Sequence, residues 1–487
     1  MKLLAALLWA LPLVAHVGSP DVFFEGEAGP YHLLVTIRPP QVIPGVAEIE
    51  IRSASNDVRE VRIVPLRLTG SGASLTPTPD VAQRSKPDPQ FYTGALWLMS
   101  TGAWQVRVQV DGTRGPGVVA VPVPAAATRM LAIEKGLGTL LVILSLVLFC
   151  GLVSIMGAGT REAQLEPGKE PAWQDVRRSR IIMAVTAIVL AAVLWLGNEW
   201  WQSEASGYQS RIFKPLQLKA ALDRGDHLNL RLEDPGWLNR RVDDLIPDHQ
   251  HLMHLYVFRI PELDLMWHLH PERTGDADFM QVLPSLPAGR YALYGDIVHA
   301  TGFPETVTAE IELPPIAGGP LTGDDAAGAG PPLAKADYNA TVSPLSGGYR
   351  MIWERDRSLY RPRQPYEFRF RVEDGTGHPA QGMELYMGMQ GHAAFVRSDR
   401  SVFAHVHPSG SVPMAALGLT TPAALPPDQV TPGSELRHAG HMAIEAGVPA
   451  SVSFPYGFPK AGNYRIFVQL KRAGKVVTGI FDARVEN

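Results

Sequence analysis

Thirteen of the 15 histidines in this chain follow residue 220, and six of those sit in two matched segments. The first reads HLYVFRIPELDLMWHLHPE over residues 254–272, the second HAAFVRSDRSVFAHVHPS over residues 392–409. Each opens on a histidine, runs through an apolar stretch to a turn with an acidic residue, and returns to His-x-His-Pro. Neutral imidazole is a ligand for copper, zinc, nickel and iron, and thioether sulfur selects Cu(I). The element that would gather these side chains is a β-hairpin. In the second segment a tight turn at Ser398–Ser401 sets His392 opposite His407 and Ala394 opposite His405. In the first, a loop of Pro261, Glu262 and Leu263 sets His254 opposite His270 and Tyr256 opposite His268. Opposed Cβ atoms lie about 4.5–5.5 Å apart, and the middle histidine, two positions along, shares their face. A one-residue slip would undo both sets.

The candidate metal ligands are therefore His254, His268 and His270 at one site and His392, His405 and His407 at the other. Leu265, Trp267 and Leu269, and likewise Val402, Ala404 and Val406, alternate with them and supply the core side. Further donors stand close in sequence: His249, His251, Met253 and His299 in the first half, and Met383, Met387 and Met389 on one strand parity leading to His392. The segment HAGHM adds His438, His441 and Met442. Of these, Met387, Met389, His438 and His441 are candidates to join the second site. Cys150 is the single cysteine and lies in an apolar run, so no internal disulfide or thiolate zinc site is available. Mixed His and Met donors then point to copper first. Three other readings compete: histidines hydrogen-bonded across a hairpin, a pH-responsive or protein-contact surface, and methionines as core filler. Cleavage after Ala15 would make His16 an N-terminal residue able to chelate copper through amine and imidazole.

These hairpins belong to a larger repeat. LPAGRYALYGDIVHATG (286–302) matches PKAGNYRIFVQLKRAGK (459–475), so residues 215–313 and 337–487 read as two copies of one β domain. Residues 314–336, rich in Pro, Gly and Ala, read as a linker, and a Pro-rich insertion falls near 412–433. A short helix is expected within 200–225 (KPLQLKAALDRG). Alternating runs bounded by turn residues make 19–127 a further sandwich domain. The expected fold is mainly β: three immunoglobulin-like β-sandwiches and a two-helix transmembrane hairpin.

The addressing signals are separate. Lys2 followed by an apolar run from Leu3 to Ala15 has the form of a signal peptide over residues 1–18. Uncharged stretches predict transmembrane helices at 132–158 and 181–201. The loop between them, 159–180, carries Arg161, Lys169, Arg177, Arg178 and Arg180, which places it in the cytoplasm and both flanking regions outside. Trp195, Trp200 and Trp201 mark an interface. A net charge of −4 gives no reason to expect nucleic acid as a partner; the expected partners are a metal ion, the membrane and another membrane protein.

The stretches GPYHLLVTIRPPQVIPG and GYRMIWERDRSLYRPRQPYEFRFRVED resemble bacterial extracytoplasmic YtkA-like and FixH-like immunoglobulin-type domains. MGMQGHAAFVRSDRSVFAHVHPSG is similar to a His-rich segment of secreted bacterial proteins that accompany copper-handling systems. The resemblance covers about half the chain. It implies a sandwich fold on the periplasmic side of a bacterial inner membrane and a metal or membrane-complex context.

The leading functional expectation is a membrane-anchored periplasmic metal-binding protein handling copper, in resistance, storage or delivery. The alternative is a non-metal scaffold or assembly factor that presents β domains to a membrane complex. No Gly-rich phosphate loop, Gly-x-Ser-x-Gly elbow or His-Glu-x-x-His occurs, so an enzyme is not expected.

Overall fold

A computed structural model describes residues 20–70, 77–238, 240–355, 359–420 and 447–487. The signal peptide expected at 1–18, with His16, and the donors His438, His441 and Met442 lie outside the described residues.

Alternation of apolar and polar residues builds the N-terminal sandwich. In the strand Tyr31–Arg38, Leu33, Val35 and Ile37 are fully buried, and the strand Gly45–Ser53 buries Ala47, Ile49 and Ile51 in the same way. These strands share a five-stranded sheet with Val22–Ala28 and Phe91–Leu98, and a four-stranded sheet includes Val58–Arg67, Gly102–Gly112 and Gly115–Ala125.

The first repeat is one nine-stranded sheet. Strands from both of its ends line a single core that includes Leu230, Phe279, Leu255, Trp267 and Leu293, so the sheet folds back on itself. The second repeat packs a four-stranded sheet on a six-stranded one around Trp353, Phe370, Phe395, Ile466 and Phe481. The chain is thus mainly β, with three sandwich domains and a helical hairpin.

Two expectations meet a different structure. The helix expected within 200–225 is replaced by the strand Gln217–Asp223. Its residues are good helix formers, but Leu218, Ala220 and Leu222 alternate toward the core. A tight turn in which Arg224 and Gly225 take positive φ (51° and 84°) then folds it back on His227–Glu233. The 314–336 segment does join the repeats, yet it is not free chain. Ala326–Ala329 is an edge strand paired with Leu265–Leu269. Its small residues allow a close approach: a Cβ on Gly328 would lie 2.6 Å from Thr478 Cγ2 of the second repeat. Close packing, not flexibility, is what this composition serves.

The helices Lys135–Glu162 and Trp173–Ser210 have 28 and 38 residues. At about 1.5 Å per residue both exceed the roughly 30 Å hydrocarbon core of a bilayer. Both are apolar enough to cross a membrane, with Leu144, Leu148, Ile188 and Leu194 exposed. They touch where Ser179 Oγ donates to the Gly157 carbonyl (2.7 Å), and a Cβ on Gly157 would meet Met183 sulfur at 2.5 Å. Arg177, Arg178 and Arg180, expected in the loop, fall inside the second helix.

The two hairpins have the expected register. Tyr256 pairs with His268 and Leu255 with Leu269, while Ala394 pairs with His405 and Ala393 with Val406. One face of each hairpin enters its own repeat's core. The other faces meet each other. Tyr256, Phe258 and Met266 pack against Ala394, Val396, Phe403 and Phe467, with the Tyr294 and Phe403 rings stacked at 4.6 Å. The histidine-bearing faces therefore form a second, interdomain core. Arg465, 0% exposed, fastens one end of it. Its guanidinium donates to both Asp482 carboxylate oxygens (2.9 and 3.1 Å) and to the carbonyls of Leu263 and Pro331 (3.0 and 2.6 Å). Arg465→Leu leaves that carboxylate and both carbonyls unpaired in the interface. The variant is expected to lose about 3–5 kcal/mol, read as a lower denaturation midpoint of the full chain in detergent.

Candidate metal centre

The site begins with backbone geometry. Asp248 and His251 exchange two backbone hydrogen bonds of 2.9 Å across a tight turn. Its central residues His249 and Gln250 sit at φ 48° and 73°, a left-handed conformation that side chains other than glycine adopt at some cost. The turn sends His249 toward the second repeat and His251 toward His270. The hairpins supply the remaining rings. His249 lies 5.0 Å from His392 and 4.9 Å from His407, centroid to centroid. His251 stacks on His270 at 4.0 Å. The repeats meet at His254 and His405 (5.3 Å) and at His268 and His405 (5.7 Å). Eight imidazoles thus form one continuous cluster.

Two groups in it satisfy the spacing of a metal site. One ring nitrogen from each of His254, His268 and His270 lies within 4.8 Å of the others, and the same holds for His249, His392 and His407. His405 stands beside the second group, its Nε2 3.0 Å from His392 Nδ1. The matching pair in the first group, His254 Nδ1 and His268 Nε2, is 3.1 Å apart. Two ligand atoms each about 2.0–2.1 Å from one tetrahedral ion are separated by roughly 3.3 Å, so both pairs have the spacing of neighbouring ligands.

Hydrogen bonds fix which nitrogens are bare. A carbonyl oxygen only accepts, so the ring nitrogen against it carries the proton and the other nitrogen presents its lone pair. His254 Nε2 donates to Asp248 O (3.0 Å) and His392 Nε2 to Tyr386 O (3.2 Å). His249 Nδ1 donates to Met387 O (2.8 Å) and His407 Nδ1 to Val412 O (3.3 Å). His268 Nδ1 faces the Gln469 amide oxygen (2.9 Å), and His270 Nδ1 the Asp325 carboxylate (3.0 Å). The nitrogens left over point inward. Three of them, His249 Nε2, His270 Nε2 and His407 Nε2, are buried without a hydrogen-bond partner among the described residues. The facing pair His254 Nδ1 and His268 Nε2 brings two lone pairs to 3.1 Å, which is repulsive unless a cation sits beside them.

Burial keeps these rings uncharged. It lowers the pKa of His254 and of His407 to about 3. Burial and then the neighbouring imidazoles hold His268, His270, His392 and His405 well below the ordinary histidine value. Neutral imidazole is the form that binds metal. Two carboxyls back the cluster. Asp325, beside His270, is raised to about 6 by burial. Asp296, whose Oδ2 is 3.4 Å from His405 Nδ1, is raised to about 7 for the same reason. Carboxylates behind ligand imidazoles orient them and strengthen their donation.

All six hairpin histidines expected as ligands thus reach the cluster. His249 and His251, noted only as nearby donors, belong to it too. Met253 and Met383 are core residues of their own repeats. His299 stands apart: burial lowers its pKa, but the Glu305 and Asp244 carboxylates outweigh that and raise it. Its Nδ1 bonds Asp244 at 2.7 Å, which ties down the loop before Asp248. The shared strand parity expected for Met383, Met387 and Met389 is broken by a turn at Tyr386–Met389. Met387 is buried against Ala326 and Tyr386, and Met389 is half-buried. Asp296 was expected near the histidines; Asp325, Tyr386 and Gln469 were not, because their contribution depends on contacts distant in sequence.

One protein family, described as a domain of unknown function (DUF8832), matches residues 341–487. None of the curated proteins matches the chain. Among solved structures it is similar to trypsin-activated alpha-2-macroglobulin from Escherichia coli, at 9% identity and a TM-score of 0.16, covering 97% of this chain and 24% of that one. It is also similar to dimeric latent PorU from Porphyromonas gingivalis, at 7% identity and a TM-score of 0.15, covering 96% and 34%. The chain spans about a quarter to a third of the length of these two proteins. At TM-scores this low neither similarity bears on function.

Proposed function

We propose that this chain is a membrane-anchored copper-binding protein that stores, sequesters or delivers the ion. One observation carries the reading: ring nitrogens whose protons are held on their far side by carbonyl, amide and carboxylate oxygens converge, bare and buried, in two groups. Such a centre binds an ion without acting on it. Imidazole accepts several divalent metals, and copper stands highest among them in intrinsic affinity. The two apolar helices serve as the anchor. The apolar N-terminal run and the arginines between and at the start of the spans favour a cytoplasmic connection, with the β domains on the outer face.

The test is a titration of the full chain in detergent with Cu(II) and with Zn(II). Two copper ions per chain are expected, bound more tightly than zinc. The His392→Ala/His407→Ala variant should take up one. No uptake, or uptake unchanged in that variant, would leave the alternative of an anchored scaffold.

A further inference from the structure

The two halves of the cluster are built from equivalent residues of the two repeats, and the equivalence extends beyond the hairpins. His249 and Met387 are 138 positions apart, as are His254 and His392. The Asp248–His251 turn has its counterpart in Tyr386–Met389. Tyr386 and Met389 exchange both backbone hydrogen bonds (2.7 and 3.1 Å), with Met387 and Gly388 at φ 50° and 79°. His254 donates to the first carbonyl of its turn and His392 to the first carbonyl of its own. His249 corresponds to Met387, and the two turns touch at this pair, where His249 Nδ1 donates to Met387 O.

Equivalent residues also cross to the opposite repeat. Asp296 pairs with His254 and faces His405 of the second repeat; Gln469 pairs with His392 and bonds His268 of the first. Asp248 accepts from Ala415 N (2.7 Å), while Tyr386 Oη donates to Asp324 O (2.7 Å). His249 crosses to lie against His392 and His407.

We infer that Met387 makes the reciprocal crossing and offers its thioether to the position formed by His254, His268 and His270. Its side chain is 7% exposed and packs on Ala326. Ala326 pairs with His268 and follows Asp325, the carboxylate on His270. The two positions then differ in chemistry. The second has three imidazoles, with His405 beside His392 and no sulfur, and accepts either oxidation state of copper. The first has three imidazoles and a soft sulfur, which favours Cu(I). The inference rests on the proposed copper binding and assigns each position its preferred ion.

The experiment compares full-length wild type, Met387→Leu, Met387→His and His249→Met in detergent. Cu(I) affinity is read by competition with a chelator and Cu(II) by electron paramagnetic resonance. Leucine conserves the volume. Met387→Leu should weaken one of two Cu(I) ions at least tenfold and leave the other within twofold. Met387→His should make the two Cu(II) signals alike, and His249→Met should give the second position the Cu(I) preference of the first. Wild-type Cu(I) affinities retained in Met387→Leu, with two ions still bound, would overturn this inference alone. Absence of copper uptake by the wild type would overturn the proposed function with it.

Discussion

Stripped of metal and taken from pH 7 to pH 5, the protein is expected to lose the interface between its repeats. Six buried imidazoles, His254, His268, His270, His392, His405 and His407, have pKa values lowered in the fold. Each is neutral in the folded chain and protonated in the unfolded chain below about pH 6.5. The unfolded state then binds more protons, so stability falls as pH drops below about 6.5, toward the lowered folded values, about 3 for His254 and His407. Asp296 and Asp325 act in the opposite sense. Their raised values, about 7 and about 6, mean that the fold gains protons first, and they add stability as pH falls toward the ordinary carboxyl range. Six groups against two leaves about four protons, or roughly 5 kcal/mol per pH unit at the steepest. Domain stabilities are about 5–15 kcal/mol, so about one to three units below pH 6.5 exhaust them. Tryptophan fluorescence and near-ultraviolet circular dichroism of the chelator-treated chain would follow the loss. A melting temperature that stays flat between pH 7.5 and pH 5 would contradict it.

Copper should oppose that loss. An ion that binds only the folded state stabilises it by about 4 kcal/mol at a free concentration one thousand times its Kd, so two ions contribute about 8 kcal/mol. The stabilisation crosses the domain boundary, because His249 comes from one repeat and His392 and His407 from the other. A large rise in melting temperature on loading, and a shift of the acid transition to lower pH, are therefore expected. His249→Ala should remove close to half of the rise. A rise that is the same in wild type and in the His392→Ala/His407→Ala variant would place the ions elsewhere.

Much of this architecture is legible in the sequence. The hairpin registers follow from loop length and alternation, and the structure pairs Tyr256 with His268 and Ala394 with His405 accordingly. The apolar helices are visible as uncharged runs. What pattern alone does not reveal is where each face goes. The histidine-bearing faces are alternate positions of half-apolar strands, and Phe258, Val396 and Phe403 on those same faces mark them as a second packing surface. That surface brings two sites expected to be separate into one cluster. The Gly and Ala of 326–329 read as a linker for the same reason, since residues that permit close sheet contact are also those of flexible chain. His249 is legible only as a nearby donor of the first repeat. Its alignment with Met387 at the offset of 138 is present in the sequence, but its reach into the other repeat depends on a left-handed turn without glycine at its centre.

In the proposed centre, imidazoles from both repeats share a metal ion. X-ray absorption of the full chain loaded with two equivalents of copper addresses it most directly. A first shell dominated by imidazole nitrogen is expected, with the outer-shell scattering of intact rings, and less of it per copper once His249 is replaced by alanine. A shell of oxygen ligands without ring scattering, or one indifferent to His249, His392 and His407, would contradict it.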